Sequence, residues 1–253
     1  MISDKFKMEK QEDYIFGTRA IIEAIRAGKT LDRLLIKNEG RGLLYQELLE
    51  EVKNAEIPIQ YVPQSRLDSI TRKNHQGVIA WLAPMEFQSL HNMLPEIFEK
   101  GEDPLIMLLD GVSDVRNFGA IVRSADCLGA HAIVIPEKGA ARAGADAVKT
   151  SAGALLHFPV CREKSILKAV EFLKQSGLKI AGASEKSKRF LPDADLTGPL
   201  AIIMGAEDKG ISRELEALCD VLVKIPMTGK TESLNVSVAA GIFLYEANRS
   251  RLR

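Results

Sequence analysis

Cysteine is scarce in this sequence of 253 residues, and its placement excludes the common cysteine-based sites. Cys127, Cys161 and Cys219 lie far apart, with no CxxC pair and no complete set of cysteine and histidine ligands at metal-binding spacing. We therefore predict three reduced cysteines that are buried by packing, and no bound metal.

The net charge is zero, and aromatic residues are few. The 34 basic residues are balanced by 34 acidic ones, whereas a protein that holds nucleic acid by bulk charge usually has a strong basic excess. Aromatic residues make up only 6% of the sequence, which is too few for a surface built mainly on base stacking. Any contact with nucleic acid must therefore rest on local patches of charge.

Long hydrophobic runs are missing as well. No stretch approaches the roughly 18 uninterrupted apolar residues that a membrane helix needs, and the first residues, MISDKFKMEKQEDY, contain no apolar signal-peptide core. We therefore expect no membrane association and a cytoplasmic location. The hydrophobic content of 46% is typical of a globular protein, and the length favours two domains over one.

The usual phosphate-binding motifs are absent too. No GxGxxG pattern follows a predicted strand, and the GKT tripeptides at 28–30 and 229–231 lack the glycine that a P-loop carries five positions earlier. Glu23 and Lys224 occupy those positions. The sequence therefore argues against a nucleoside triphosphatase and against an ordinary dinucleotide-dependent oxidoreductase.

What the sequence does contain is two α/β patterns joined by a segment rich in proline and acidic residues. Residues 1–82 alternate predicted helices and strands, which indicates a small α/β domain. Residues 83–103 predict a linker with one short helix at 90–99. In residues 104–253 the strands become continuous apolar runs, which are typical of a mostly parallel sheet covered by helices on both faces.

The predicted elements follow from these patterns. In the first domain they are helices at 18–27 and 43–55 and strands at 31–36, 59–62 and 77–82. In the second domain the predicted strands are 105–109, 132–135, 178–183, 200–204 and 221–225, and the predicted helices are 120–128, 166–175, 212–218 and 235–249.

Three polar segments follow strands of the second domain and carry the candidate site. In the first segment, 110–125, Asn117 lies where a helix N-cap belongs. Arg123 stands among small and apolar residues of the same helix, where an unpaired cation is costly. We expect Arg123 to face a cleft that holds an anion or a polar substrate, with a capped helix and a surface arginine as the alternative.

The second and third segments end in loops suited to a ligand. In the second, an apolar strand stops at an acidic loop bracketed by Gly205 and Gly210, which allow a ligand to approach the main chain closely. A plain surface turn is the alternative. In the third, a polar loop leads into a helix that Ser233 or Asn235 could cap, and whose free N–H groups suit an anion.

Taken together and in this order, the three segments resemble the three motifs of the SpoU or TrmH family of RNA ribose 2'-O-methyltransferases. The matching stretches are NFGAIVR at 117–123, GAEDKG at 205–210 and SLNVS at 233–237. In the first domain, FGTRA at 16–20 and HQGV at 75–78 look like the family's substrate-binding domain, which is similar to a ribosomal L30-type fold. The resemblance covers nearly the whole chain.

The resemblance implies an α/β catalytic domain of the SPOUT superfamily, in which the end of the chain threads a loop and forms a deep trefoil knot. Periodicity and spacing do not reveal that knot. The implied cofactor is S-adenosylmethionine (AdoMet), held by Gly205, Glu207, Gly210, Ile225, Met227, Leu234 and Ser237. The implied catalytic set is Asn117, Arg123, Glu207, Ser233 and Asn235.

The implied chemistry assigns a role to each polar residue. A ribose 2'-hydroxyl is a poor nucleophile, so it must be placed in line with the activated methyl group and helped to lose its proton. Because arginine is ordinarily too basic to act as a base, we expect Arg123 to anchor a phosphate and to stabilise the nascent alkoxide. A deprotonated Arg123 as the base stays open. Asn117, Ser233 and Asn235 would orient the ribose and the cofactor.

Partners follow from the same resemblance. We expect a homodimer through the knotted domain, on the small-residue face of the last helix formed by Ser237, Ala240 and Gly241. RNA contacts are expected from local basic patches, although a solvated surface charge is the alternative for each candidate and His75 could be structural. The candidates are Arg66, Arg72, Lys73, His75, Arg116, Arg142, Lys186, Lys188 and Arg189.

With its first domain, the chain resembles the branch of the family that methylates a guanosine in large-subunit (23S) ribosomal RNA. Three alternatives stay open: a tRNA methyltransferase, an adenosine-specific rRNA methyltransferase, and a noncatalytic RNA-binding factor for ribosome assembly. An enzyme of small-molecule metabolism is disfavoured by the missing glycine motifs.

Overall fold

The computed structural model describes residues 14–38, 40, 42–231 and 233–252. Residues 1–13, in which we find no signal-peptide core, and Glu232 of the third polar segment lie outside the described residues. The chain divides into two compact units, of which the first ends at Pro84 and the second begins at Met85.

The first unit is a small mixed sheet with helices packed against it. Its elements are β1 (Tyr14–Phe16), α1 (Thr18–Arg26), β2 (Leu31–Lys37), α2 (Leu43–Asn54), β3 (Ile59–Val62), α3 (Gln64–Asp68) and β4 (Val78–Leu82). The strand order is β1-β4-β2-β3, with β2 and β3 parallel and the other neighbours antiparallel. Helices α1 and α2 each turn an apolar face toward the sheet. Ile21 and Ile22 of α1 and Leu48 of α2 are buried in one core cluster with residues of β2 and β4.

The sequence predicted five of the seven elements of this unit and missed β1 and α3. Strand β1 has three residues and helix α3 has five, so neither is long enough to show a period. The other helices and strands begin and end within one residue of their predicted bounds.

The segment predicted as a linker packs largely within the second unit. Helix α4 (Leu90–Glu99) forms as predicted, and the Ser89 side chain accepts a hydrogen bond from the Asn92 N–H at 3.4 Å. Leu90, Leu94 and Ile97 are buried in a core cluster of the second unit. The charged and proline-rich stretch is therefore the solvent side of an amphipathic helix, and composition alone does not distinguish that from a linker.

The second unit is built on a six-stranded parallel sheet. Its strands are β5 (Leu105–Asp110), β6 (Ala132–Pro136), β7 (Val160–Glu163), β8 (Lys179–Ala183), β9 (Leu200–Gly205) and β10 (Val221–Val223), in the order β10-β8-β9-β5-β6-β7. The remaining helices are α5 (Val115–Cys127), α6 (Ala145–Thr150), α7 (Ile166–Gln175), α8 (Arg213–Leu218) and α9 (Val236–Arg251). This confirms the predicted parallel sheet.

The apolar runs of the strands are explained by two cores, one on each face of the sheet. In β5, Met107 and Leu109 belong to the core that includes residues of α5 and α9. Ile106 and Leu108 belong to the core that includes residues of α4 and α7. Because both faces are covered, alternate positions are equally apolar.

Three local differences from the sequence predictions have simple causes. Helix α5 begins at Val115, well before the predicted start at 120, because an earlier residue caps it. Strand β10 ends at Val223, two residues early, since Lys224 N donates to Arg189 O and its carbonyl accepts from Leu191 N. Helix α6 and strand β7 were not predicted; they have only six and four residues.

Helix α9 is tied at its last turn to the amino ends of the two central strands. The Arg251 guanidinium donates to the backbone carbonyls of Asp103, Pro104 and Gly198 at 2.6, 2.8 and 2.8 Å. Pro104 precedes β5, and Gly198 lies just before β9. Among the described residues, no helix combines the length and the apolarity needed to cross a membrane.

Candidate functional site

A pocket of about 670 Å³ lies in the second unit, beside the carboxyl ends of β8, β9 and β10. This is the edge at which open α/β sheets usually bind ligands, and the volume falls in the range of about 300–1,000 Å³ that is ordinary for small-molecule sites. The loops that follow β9 and β10 contain the second and third polar segments. Their residues supply most of the lining.

The loop after β9 closes on itself because it has glycine at both ends. Gly210 N donates to Ala206 O at 2.8 Å, and Gly210 has a φ of +66°. A Cβ on Gly205 would lie only 2.0 Å from the Gly210 carbonyl carbon, so no side chain fits there. The two glycines that the sequence singled out are thus required for the tight loop that presents Glu207.

The first polar segment begins helix α5 with an aspartate. The Asp114 side chain accepts hydrogen bonds from the N–H groups of Arg116 and Asn117, both at 2.9 Å. The prediction that Asn117 is the N-cap is therefore wrong; Asp114, with extended backbone angles, takes that role. Asn117 lies in the first turn, and its side chain amide is left for other contacts.

The third polar segment caps helix α9 with Asn235 rather than Ser233. Asn235 Oδ1 accepts from Ser237 N at 3.0 Å and from Ser237 Oγ at 2.5 Å. Its other side-chain atom, Nδ2, is free of the cap and reaches the other two segments. Ser233 lines the pocket instead.

A hydrogen-bond network centred on Glu207 joins the three polar segments. Glu207 Oε1 accepts from Asn235 Nδ2 at 2.7 Å, from Val236 N at 3.1 Å and from Asn117 Nδ2 at 3.3 Å. Asn235 Nδ2 also donates to Asn117 Oδ1 at 2.9 Å. The carboxylate therefore sits at the N-terminus of α9, where the helix dipole favours negative charge, and it fixes both asparagine side chains.

Most of the residues implied as cofactor-binding lie around the pocket. Six of the seven line it: Gly205, Glu207, Gly210, Ile225, Met227 and Leu234. The seventh, Ser237, is not among the lining residues and instead supports Asn235. Met227 and Leu234 are 42% and 38% exposed and give the pocket an apolar wall.

The structure also places residues in the lining that the sequence analysis did not assign to the pocket. They are the stretch after β8 and apolar residues of α9: Ser184, Glu185, Lys186, Phe190, Ala239 and Phe243. The sequence does contain one sign that residues 184–186 line the pocket: they follow the end of a predicted strand, as the three polar segments do. The sequence analysis assigns Lys186, Lys188 and Arg189 of this stretch to RNA contacts, and of these three Lys186 lines the pocket.

Arg123 lies apart from this pocket. It is exposed on α5, and it is not among the described residues that line the pocket. It lies six positions after Asn117, which places it about 9 Å further along the helix axis. Its neighbours Ile121, Val122 and Ala125 are buried, so the apolar stripe faces the core while Arg123 faces outward.

The cysteines divide by burial. Cys161 is buried and Cys219 half-buried, and burial raises the pKa of these thiols to about 12 and about 11. The packing interpretation is wrong for Cys127, which is exposed at the end of α5. Among the described residues, no cluster of three or more His, Cys, Asp and Glu side chains could hold a metal ion.

His75 of the first unit is structural. It is 4% exposed; its Nδ1 lies 3.1 Å from Gly77 N, which donates to it, and its Nε2 lies 2.9 Å from Asp68 Oδ1. The hydrogen bond from His75 holds the pKa of Asp68 below its usual range. Arg66, Arg72 and Lys73 are exposed nearby in the sequence, so these cations, rather than His75, are accessible to a partner.

Comparison with known proteins decides the family. Residues 104–245 match the SpoU rRNA Methylase family, and residues 14–88 match the substrate-binding domain of RNA 2'-O ribose methyltransferases. The chain belongs to the SpoU family. A relative assigned to the TrmH family of tRNA/rRNA methyltransferases, YacO of Bacillus subtilis, is 38% identical over 96% of this chain and 98% of its own.

Solved structures of the SpoU family agree with this fold. The methyltransferase AviRb of Streptomyces viridochromogenes, determined in complex with AdoMet, is 30% identical, covers 94% of this chain and 90% of its own, and has a TM-score of 0.60. A TrmH/SpoU tRNA-modifying enzyme of A. aeolicus is also 30% identical, but it covers only 64% of this chain, with a TM-score of 0.55.

Proposed function

We propose that this SpoU family member transfers a methyl group from AdoMet to the 2'-hydroxyl of one ribose in large-subunit (23S) ribosomal RNA, and that the target nucleotide is a guanosine. The observation that carries the proposal is the Glu207 network, which joins all three polar segments beside a pocket suited to a small cofactor. The chemistry of AdoMet-dependent RNA 2'-O-methylation is that of the family.

The lining of the pocket fits AdoMet in its chemical character. The apolar wall formed by Ile225, Met227 and Leu234 suits an adenine ring, and the polar side chains of Ser184 and Glu216 suit an amino-acid group. Gly210 has open space where a Cβ would lie, so that a ligand can approach the loop backbone closely at this position. When bound there, the cofactor supplies a methyl group that its sulfonium already activates.

The polar residues beside the pocket are proposed to place the ribose. Glu207 uses Oε1 for its three hydrogen bonds, and among the described residues nothing donates to its Oε2. That oxygen can therefore accept a hydrogen bond from the ribose hydroxyl and hold it in line with the methyl group. Asn117 and Asn235 keep the carboxylate in this orientation, and Ser233 adds a hydroxyl at the pocket wall.

Arg123 is proposed to anchor an RNA phosphate. It is exposed on the same helix as Asn117, about 9 Å further along the axis, and an exposed guanidinium is suited to bidentate contact with a phosphate. In this role it would hold the backbone of the target nucleotide.

The first unit supports ribosomal RNA as the substrate. Its match to a substrate-binding domain lies outside the part of the chain that a catalytic domain alone would need, and the A. aeolicus tRNA-modifying enzyme covers only 64% of the chain. Arg66, Arg72 and Lys73 offer exposed cations in this unit. A tRNA substrate and an adenosine target in rRNA are the competing assignments.

We also propose that the chain acts as a homodimer through its catalytic domain. The surface differs from the one expected from the sequence, because Ala240 is fully buried and Gly241 packs near Ser124 of α5. The exposed apolar residues of α9 and of its C-cap are Val238, Tyr245 and Leu252, which are 51%, 58% and 81% exposed. They recur every seven residues and so form one stripe along the helix.

Methyl transfer from radiolabelled AdoMet to unmodified rRNA, and separately to tRNA, tests the function. Ribose methylation blocks alkaline cleavage at the modified position, so label in an alkali-resistant dinucleotide that begins with guanosine is the expected result. Label only on tRNA, or on a base, would contradict the proposal.

A pair of asparagine variants provides the control. Asn235→Ala should lose transfer, whereas Asn248→Ala, on the same helix but far from Glu207, should keep it. The competing noncatalytic assembly factor predicts rRNA binding without any transfer, unchanged by either substitution.

A further inference from the structure

Asp110 ends strand β5 and reaches across to the start of α8. Its backbone pairs with Gly205, the last residue of β9, and its Oδ2 accepts a hydrogen bond from Ser212 N at 2.8 Å. Ser212 is the N-cap of α8, but its own side chain makes no cap hydrogen bond. The Asp110 carboxylate therefore caps α8 from a neighbouring strand.

These two contacts bracket the whole loop that presents Glu207. The loop leaves β9 at Gly205, turns back through the Ala206–Gly210 hydrogen bond, and reaches α8 at Ser212. Gly111, next to Asp110, lies against the loop as well: a Cβ there would be 3.4 Å from Ala206 Cβ. Both ends of the loop are thus fixed to one residue pair at the end of β5.

Helix α8 is part of the pocket, although Asp110 is not. Glu216 of α8 lines the pocket, and its Oε1 accepts from Ser184 Oγ at 3.3 Å. All seven residues from Gly205 to Ile211 line the pocket as well. A shift at the start of α8 would therefore move two walls of the pocket at once.

We propose that Asp110 is a positioning residue for the cofactor pocket: its carboxylate holds the loop 205–211 and helix α8 in the arrangement that binds AdoMet. The inference rests on the proposed function, because that function assigns AdoMet to this pocket. Asp110 touches neither the cofactor nor the RNA; it acts through Ser212 N and the loop.

Titration of AdoMet into the purified full-length protein tests this role. Asp110→Ala should weaken AdoMet binding by about tenfold or more, since a hydrogen bond to a carboxylate is lost and the loop is released. Asp110→Asn keeps an oxygen acceptor for Ser212 N and should restore binding to within about threefold of the wild type. In steady-state assays the KM for AdoMet should rise more than the KM for RNA.

The matched control is Asp220→Ala. Asp220 Oδ2 accepts from Ile180 N, also at 2.8 Å, but at the opposite end of the sheet. This variant should lose comparable thermal stability and keep AdoMet binding. If Asp110→Ala binds AdoMet as tightly as Asp220→Ala does, the positioning role is refuted while the proposed function stands. If the wild type itself binds no AdoMet, the proposed function and the inference fall together.

Discussion

At the scale of single residues, the site depends on one carboxylate that joins distant parts of the chain. Glu207 accepts hydrogen bonds from Asn117, Asn235 and Val236, which lie in two other segments. An exposed glutamate usually contributes little to stability, but here three donors converge on one oxygen. Glu207 therefore acts mainly by fixing the orientation of the Asn117 and Asn235 side chains beside the pocket.

Arg123→Ala should abolish methyl transfer and leave cofactor binding nearly intact. The expected loss of turnover is about a hundredfold or more, because the phosphate anchor is removed, while AdoMet affinity should stay within about twofold, since Arg123 lies apart from the pocket. Turnover and AdoMet titration measure the two effects. Arg213→Ala, on the exposed start of α8, is the control, and substantial turnover in Arg123→Ala would refute the assignment.

Thiol labelling at pH 8 should modify Cys127 alone in the native protein. Cys127 is exposed, whereas burial raises the pKa of Cys161 to about 12 and that of Cys219 to about 11. The thiolate, which is the reactive form, is then at most about a thousandth of the Cys219 population. Mass spectrometry should find one label per native chain and three after denaturation. Rapid labelling of a Cys127→Ser variant would contradict this.

At the scale of elements, the caps decide where the polar side chains point. Asp114 rather than Asn117 begins α5, and this leaves the Asn117 amide for Glu207. Asn235 begins α9 with one side-chain atom and reaches Glu207 with the other. The helix starts are therefore part of the site.

Asp114→Ala should cost about 1 kcal/mol of the free energy of unfolding, as loss of an N-cap usually does, and should also reduce turnover. Ser165→Ala removes the N-cap of α7, whose side chain accepts from Lys168 N at 3.3 Å, and should cost a similar amount while turnover is kept. Chemical denaturation and methyl transfer measure both quantities. Equal turnover in the two variants would show that the cap of α5 does not act on the site.

The sequence was sufficient for the elements with a clear period and for the residues of the three polar segments. The apolar runs of β5 and β9 predicted the parallel sheet, and the resemblance identified Glu207, Asn117 and Asn235, which the structure brings together. It was not sufficient for the cap of α5, because Asp114 and Asn117 are both good cap residues and only the backbone decides between them. The trefoil knot stays a prediction.

At the scale of the whole molecule, the second unit begins within the segment that composition predicts as a linker, residues 83–103. The division falls after Pro84, and Gln88 N already donates to Val160 O of β7 at 2.9 Å. Phe87 lies under the Arg162 guanidinium, 4.0 Å from ring centroid to Cζ. The second unit therefore includes α4 and the residues just before it.

A chain that begins at Met85 should fold, whereas one that begins at residue 104 should not. The shorter chain lacks α4, whose Leu90, Leu94 and Ile97 cover one face of the sheet; each such loss of a buried side chain is worth about 2–5 kcal/mol, a large part of the stability of a domain. Circular dichroism and thermal unfolding compare the two chains. A cooperative transition in the chain from residue 104 would show that α4 is dispensable.

The anchoring of Arg251 gives the far end of the protein an influence on the cofactor pocket. Helix α9 spans 16 residues, or about 24 Å, with Val236 bonded to Glu207 at one end and Arg251 fixed to three carbonyls at the other. A proteolytic cut or a stop codon in that last turn would remove no residue of the pocket, yet it would release the helix whose first turn orients Glu207. Damage there would present as a catalytic defect.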